Sequence, residues 1–269
     1  ARDADSARAC AVTAGPLAGR RIVVTRPLPQ AEGLAQRIRS AGGEAVLLPA
    51  IEIQDLPDPT AFRAIAARLT QFDWALFVSP TAVRRALDLL RQMRGDAPWP
   101  RAVRVAAIGR GSLRALEAAG FGEVLAPRGT ADSAALLDLP EFASVADRRI
   151  VIFRGVGGRE WLGETLRARG AQVEYAECYV RAKPKTGSVT LGPGAVDAIT
   201  VSSAEGLANL GAMLDAGGRE RLRRTPVFVS HARVADDAKA RGVLTVIVSG
   251  PHDDSVVAAL VAYFGKVRA

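Results

Sequence analysis

With 269 residues, 49% of them apolar, the chain has material for one large domain or two of ordinary size. No apolar run approaches the ~18 residues of a membrane helix, so a membrane span is not expected. The net charge of +8 would suit nucleic acid or an acidic small molecule, but the basic residues are scattered and only three tyrosines and three tryptophans are available for base stacking. Nucleic acid is therefore not expected either.

Residues 1–16 mix both charge signs with alanine and read as a flexible tail, too weakly apolar for a secretory signal. Cys10 lies in that tail and Cys178 far away in a strand, so no disulfide framework or metal motif can be drawn, and the cysteines suit a reducing cytoplasm. Residues 21–25 form a short apolar strand. Leu34, Ile38 and Ala41 then stand at helical spacing within 29–41, before the Gly42-Gly43 stop. The run 45–53 contains Pro49 and reads as an edge strand leaving a domain, with Pro57 and Pro59 marking the boundary. A helix over 60–69 capped by Thr60 follows, then a strand over 73–78 that runs into Ser79-Pro80-Thr81 and another helix. The next strand, 103–108, ends in Gly109-Arg110-Gly111-Ser112 at a helix start. A short strand over 122–127 precedes a helix capped by Asp132 or Ser133 and running to about Leu139.

Residues 149–181 then repeat residues 21–53 in outline. Without a gap, Ile150 falls on Ile22, Arg154 on Arg26 and Gly170 on Gly42, each copy reading strand, basic loop, helix, glycine stop, strand. The stretch 183–194, rich in Pro, Gly, Lys and Thr, has linker chemistry. Strands over 197–201, 227–229 and 244–248 run into Ser202-Ser203, Ser230-His231 and Ser249-Gly250, and Asp254 or Ser255 caps the last helix. The echo continues: 73–79 matches 197–203, Ile108-Gly109-Arg110 matches Val229-Ser230-His231, and Ala131-Asp132-Ser133 matches Asp253-Asp254-Ser255. Two copies of one α/β unit with short loops imply parallel sheets covered by helices, with ligands at the carboxyl ends of the strands.

Those ends carry the candidate chemistry. Arg26 and Arg154 follow their strands at helix starts, where unpaired backbone N–H groups and the helix dipole favour an anion. Ser79, Ser112, Ser202, Ser203 and Ser230 also stand at helix starts, where serine ordinarily caps, and capping and ligand contact can coexist. His231 and His252 are the only histidines and no GxSxG elbow is present, so a serine hydrolase is rejected. No spacing of the two suits zinc. Gly155-Val156-Gly157-Gly158-Arg159-Glu160, with Glu174 further on, resembles a dinucleotide loop, but Glu160 replaces its last glycine. Tyr179 lies in the exit strand of the second copy; most such tyrosines pack, but its hydroxyl can donate if it faces a ligand.

Val24-Thr25-Arg26-Pro27, Phe77-Val78-Ser79-Pro80, Ala107-Ile108-Gly109, the glycine-stopped 149–170 unit and Glu177-Cys178-Tyr179, in that order and spacing, resemble the uroporphyrinogen-III synthase family from Leu17 onward. The resemblance implies an α/β protein of two similar lobes, each a parallel sheet flanked by helices, joined by a two-stranded bridge. One lobe would be 17–49 with 183–269, the other the inserted 57–173, and the bridge 50–56 with 174–182. A plain tandem split near Val145 fits the repeat equally well, although Pro49 and the prolines after it favour the interleaved path.

The resemblance further implies closure of the linear tetrapyrrole hydroxymethylbilane, with loss of water and inversion of the last ring through a spirocyclic intermediate, using neither metal nor organic cofactor. Tyr179 would assist departure of the hydroxyl. Arg26, Ser79, Gly109, Ser112, Arg154, Gly155, Ser202 and Ser203 would grip carboxylate arms. Relatives often carry a Gly-Pro-Thr-Thr type turn where this chain has Ser230-His231-Ala232-Arg233; Ser230 and Arg233 would supply contacts there, Arg233 by charge in place of hydroxyls. The expected partners are the substrate and, transiently, hydroxymethylbilane synthase handing it over. The main rival class is a non-catalytic two-lobed protein that binds small anions, and a second is nucleic-acid binding through the positive surface.

Overall fold

The structure is a computed structural model that describes residues 15–128, 132–185, 191 and 196–268. The expectations about the tail through residue 14 with Cys10, about Ala131 and about most of the 183–194 linker lie outside them. The chain opens with β1 (Arg21–Val24), α1 (Leu28–Ser40), β2 (Glu44–Leu47), β3 (Glu52–Gln54) and α2 (Thr60–Ala67). It continues through β4 (Trp74–Phe77), α3 (Pro80–Arg94), β5 (Arg104–Ala107), α4 (Arg110–Ala118), β6 (Val124–Leu125), α5 (Ser133–Leu137) and α6 (Pro140–Ala143). Then come β7 (Arg149–Gly155), α7 (Trp161–Ala168), β8 (Gln172–Ala182), β9 (Ala198–Val201), α8 (Ala204–Met213) and α9 (Ala216–Arg224). The last elements are β10 (Val227–Val229), α10 (Ala232–Ala240), β11 (Val246–Val248) and α11 (Asp253–Arg268). Among the described residues no helix is long and apolar enough to cross a membrane.

Two compact units result: the described part of Ala1–Glu52 with Ala182–Ala269, and Ile53–Arg181. The first holds a five-stranded sheet in the order β11-β10-β9-β1-β2, with every neighbouring pair parallel. In the second, β8-β7-β4-β5-β6 pair in parallel, and β3 lies outside β8 at the edge. Read across, the sheets follow one plan: β2 corresponds to β8, β1 to β7, β9 to β4, β10 to β5 and β11 to β6. The internal echo of the sequence falls on these same pairs of strands.

Alternation explains why each sheet is covered on both faces. In the second unit Ala75, Phe77, Val105, Ala107, Val151 and Phe153 enter one core. Their neighbours Trp74, Leu76, Ala106, Ile150 and Ile152 enter the other. The first unit divides Val23, Ile199, Val201, Val227 and Val229 from Ile22, Val24, Ala198 and Phe228 in the same way. The amino ends are clamped alike. Asp197 accepts from the Arg21 amide and the Arg20 guanidinium, each at 2.9 Å. Asp73 does the same for the Arg149 amide at 2.8 Å and the Arg148 guanidinium at 2.9 Å. The glycine stops match as well, since Gly42 and Gly170 take φ 87° and 89° in the left-handed region that a side chain disfavours.

Several local expectations are corrected. The single edge strand expected over 45–53 is two: β2 pairs with β1 at the edge of the first sheet, and β3 pairs with β8 at the edge of the second. Thr60 is the first residue of its helix rather than the cap, and its amide donates to Asp58 at 2.9 Å. Asp132 caps α5 through the Ala135 amide at 2.8 Å, but the helix stops at Leu137 because Pro140 forces Leu139 into extended backbone and restarts the turn as α6. Neither Asp254 nor Ser255 caps α11, which begins at Asp253; the Ser255 hydroxyl donates back to the His252 carbonyl at 2.7 Å. Arg154 lies inside its strand, not after it, because β8 is long enough to keep β7 paired through Gly155.

Candidate functional site

The carboxyl ends of β4, β5, β7 and β8, with the loop before α7 and the first turn of α5, enclose a cavity of about 550 Å³ in the second unit. Ser79, Arg154, Gly155 and Tyr179, all singled out from the sequence, line it together. Ser79 follows β4 in extended backbone and caps α3, its Oγ accepting from the Ala82 amide at 3.0 Å. The same Oγ lies 3.5 Å from the Tyr179 hydroxyl, so capping and a cavity contact share one atom.

Tyr179 is 4% exposed, and its ring is seated by Gly155. A register shift between Arg154 and Gly155 sets Gly155 opposite Tyr179, and a Cβ at Gly155 would stand 2.7 Å from two ring carbons. Glycine is therefore required by the close approach of the ring. The backbone closes the corner, with the Val156 amide donating to the Tyr179 carbonyl at 2.9 Å. Beside it Cys178 is sealed in the core, its Sγ 3.2 Å from the Arg154 carbonyl, and burial pushes its thiol up to about 12.

Arg154 is 6% exposed and is not a free cation. Its guanidinium lies 3.9 Å from the Tyr175 ring centre, 3.3 Å from Glu177 and 3.7 Å from Glu160, and donates to the Arg159 carbonyl at 3.3 Å. Its Nε is buried without a hydrogen-bond partner. A buried guanidinium costs desolvation, which these two carboxylates and the aromatic face offset. Arg154 thus forms a fixed polar wall.

The remaining candidates are placed as follows. Gly109 precedes α4 in extended backbone and Ser112 is buried in its first turn, at 2% exposure; neither lines the cavity. In the first unit Arg26 pairs with Asp253 and donates to the Pro251 carbonyl at 3.2 Å, so its charge is already engaged. Ser203 caps α8 through the Gly206 amide at 3.0 Å, and the buried Ser230 donates to the Ser202 carbonyl at 2.8 Å. Arg233 is exposed in the first turn of α10. Glu174, the acidic residue of the dinucleotide pattern, is held by Arg68 through bonds of 2.8 and 2.6 Å, which leaves that reading without its ribose ligand.

Tyr175, Trp161 and Arg181 line the cavity without having been singled out. For Trp161 a signal existed: it begins a helix whose buried stripe is Leu162, Gly163 and Leu166, so a large aromatic stands off the apolar face.

A family model described as Uroporphyrinogen-III synthase HemD matches residues 32–258. The uroporphyrinogen-III synthase of Salmonella typhimurium is 36% identical over 241 residues, spanning 88% of this chain and 97% of that protein. The one from Escherichia coli is 39% identical over 160 residues, spanning 60% and 64%. Among solved structures, a mutant uroporphyrinogen III synthase of Thermus thermophilus superposes with a TM-score of 0.60 at 21% identity, covering 92% of this chain and 99% of its own. A uroporphyrinogen-III synthetase of Helicobacter pylori gives 0.60 at 15%, covering 91% and 99%. At such identities the structural likeness concerns the fold.

Proposed function

The chain belongs to the uroporphyrinogen-III synthase family, and from that premise we propose that it converts hydroxymethylbilane into uroporphyrinogen III. In this reading the linear tetrapyrrole loses its terminal hydroxyl as water and closes with its last ring inverted through a spirocyclic intermediate. The reaction class is a hydro-lyase that needs no metal or organic cofactor. The substrate closes in water without inversion, so the protein's task is to hold the reacting ends in the inverting geometry, a matter of orientation.

The observation that carries the reading is the Tyr179 hydroxyl, 3.5 Å from Ser79 Oγ in the cavity at the strand ends and held there by Gly155. We assign the phenol as the donor to the departing hydroxyl. Ser79 and the wall at Arg154 and Gly155 steady the substrate beside it. Gly109, Ser112, Arg26, Ser202, Ser203, Ser230 and Arg233 are proposed as further contacts to its carboxylate arms. For Arg26 that contact requires a carboxylate arm to displace Asp253. Because free substrate closes the wrong way, a direct hand-over from hydroxymethylbilane synthase, in the cytoplasm, belongs to the same proposal. The test is to supply freshly made hydroxymethylbilane and identify the product. The inverted isomer is expected, and accumulation of the uninverted macrocycle alone overturns the reading.

A further inference from the structure

One wall of the cavity has no part in the reading above. The other two tryptophans are used in packing, Trp74 against Phe142 and Trp99 against Phe77 and Phe121. Trp161 is 50% exposed, and among the described residues no ring or guanidinium lies against its indole. Leaving so large an apolar side chain wet forgoes the burial that tryptophan ordinarily gains. Its backbone is nevertheless held, since its carbonyl accepts from the Thr165 hydroxyl at 2.8 Å and Leu162 and Leu166 anchor α7 in the core. Val156, 41% exposed at the end of β7, adds a second apolar residue to the same loop.

Arg159 lines the same cavity and is exposed, and no carboxylate among the described residues pairs with it. It contrasts with Arg154, which Glu177 and Glu160 already hold. The cavity therefore offers a flat apolar face at the start of α7 and, two residues before it, a cation that no carboxylate among the described residues engages. Their complement is a flat apolar ring carrying an anionic arm.

We infer that Trp161 and Arg159 form a subsite for one pyrrole ring of the substrate, the indole stacking on the ring and the guanidinium pairing with one of its carboxylate arms. The inference rests on the function proposed above and assigns this pair to binding, not to the bond-making steps. It predicts a rise in KM with little change in kcat, because a contact made equally in ground and transition states leaves turnover alone.

The experiment is steady-state kinetics of the full chain with freshly made hydroxymethylbilane, scored by the inverted isomer. Trp161→Ala raises KM about 3- to 10-fold while kcat stays within about twofold. Trp161→Phe, which keeps an aromatic face, recovers most of that loss; Trp161→Leu, which keeps apolar bulk for folding without the flat face, does not. Arg159→Gln raises KM as well and weakens its dependence on salt. A wild-type KM in both Trp161→Ala and Trp161→Leu, or a fall in kcat alone, overturns the subsite while leaving the proposed function standing. Failure of the wild-type chain to yield the inverted isomer overturns both.

Discussion

Tyr179 could have been a packing residue, as most tyrosines in apolar strands are, and its 4% exposure alone would say so. Its surroundings argue otherwise: the hydroxyl end reaches the cavity at Ser79 while the ring rests on a glycine that leaves room for it. Tyr179→Phe keeps that packing and removes only the donor. We expect turnover to fall on the order of 10²-fold with an unchanged circular dichroism spectrum, and unaltered cyclisation kinetics would take Tyr179 out of the mechanism. Cys178 next to it is a purely structural residue whose thiol burial raises from 9.0 to about 12. The folded state keeps a proton that the unfolded chain releases above 9.0, so this stabilisation is complete below that pH and is lost as pH rises toward 12. At about pH 10.5 the loss is ~2 kcal/mol. Urea unfolding of wild type and Cys178→Ala, compared at about pH 8 and about pH 10.5, should show the gap between them narrowing by that amount. A gap independent of pH refutes the assignment.

At the scale of elements, each central strand is started by the same device, an aspartate that pins the first amide and the preceding arginine of its neighbour. Asp197 does so for β1, and Asp73 for β7. Replacing either by alanine leaves a strand-end amide without its partner, at a cost of about 1 to 3 kcal/mol. Asp73→Ala and Asp197→Ala should therefore lower the urea midpoint by similar amounts. A loss confined to one of them would show that the shared geometry does not carry a shared energy. The β2 and β3 pair shows the opposite behaviour of one stretch of sequence. Its apolar, β-branched character was legible as strand, but its division depended on β2 pairing in one sheet and β3 in the other.

For the whole molecule, a charge of +8 meets a substrate fringed with carboxylates, and attraction of that kind is screened by salt. Raising ionic strength from about 0.05 to about 0.5 M should lower kcat/KM roughly threefold or more, chiefly through KM; a salt-independent KM would remove charge from the account of binding. What the sequence determined by itself is the architecture. Strand alternation, glycine stops and the echo of 21–53 in 149–181 are local periodic signals, and the alternation of strands and helices follows from them, though the interleaved path of the two units does not. The order and spacing of its motifs also carried the family. What only the tertiary structure decided is which strand-end residues share a cavity and which arginines are already paired. Arg26 and Arg154 looked alike in sequence, yet Asp253 takes up the first and Glu177 and Glu160 the second, while among the described residues no carboxylate pairs with Arg159. The reason is physical: Arg26 meets Asp253 from far along the chain, Arg154 meets Glu177 on the neighbouring strand, and a register shift after Arg154 sets Gly155 opposite Tyr179, none of which a local pattern encodes.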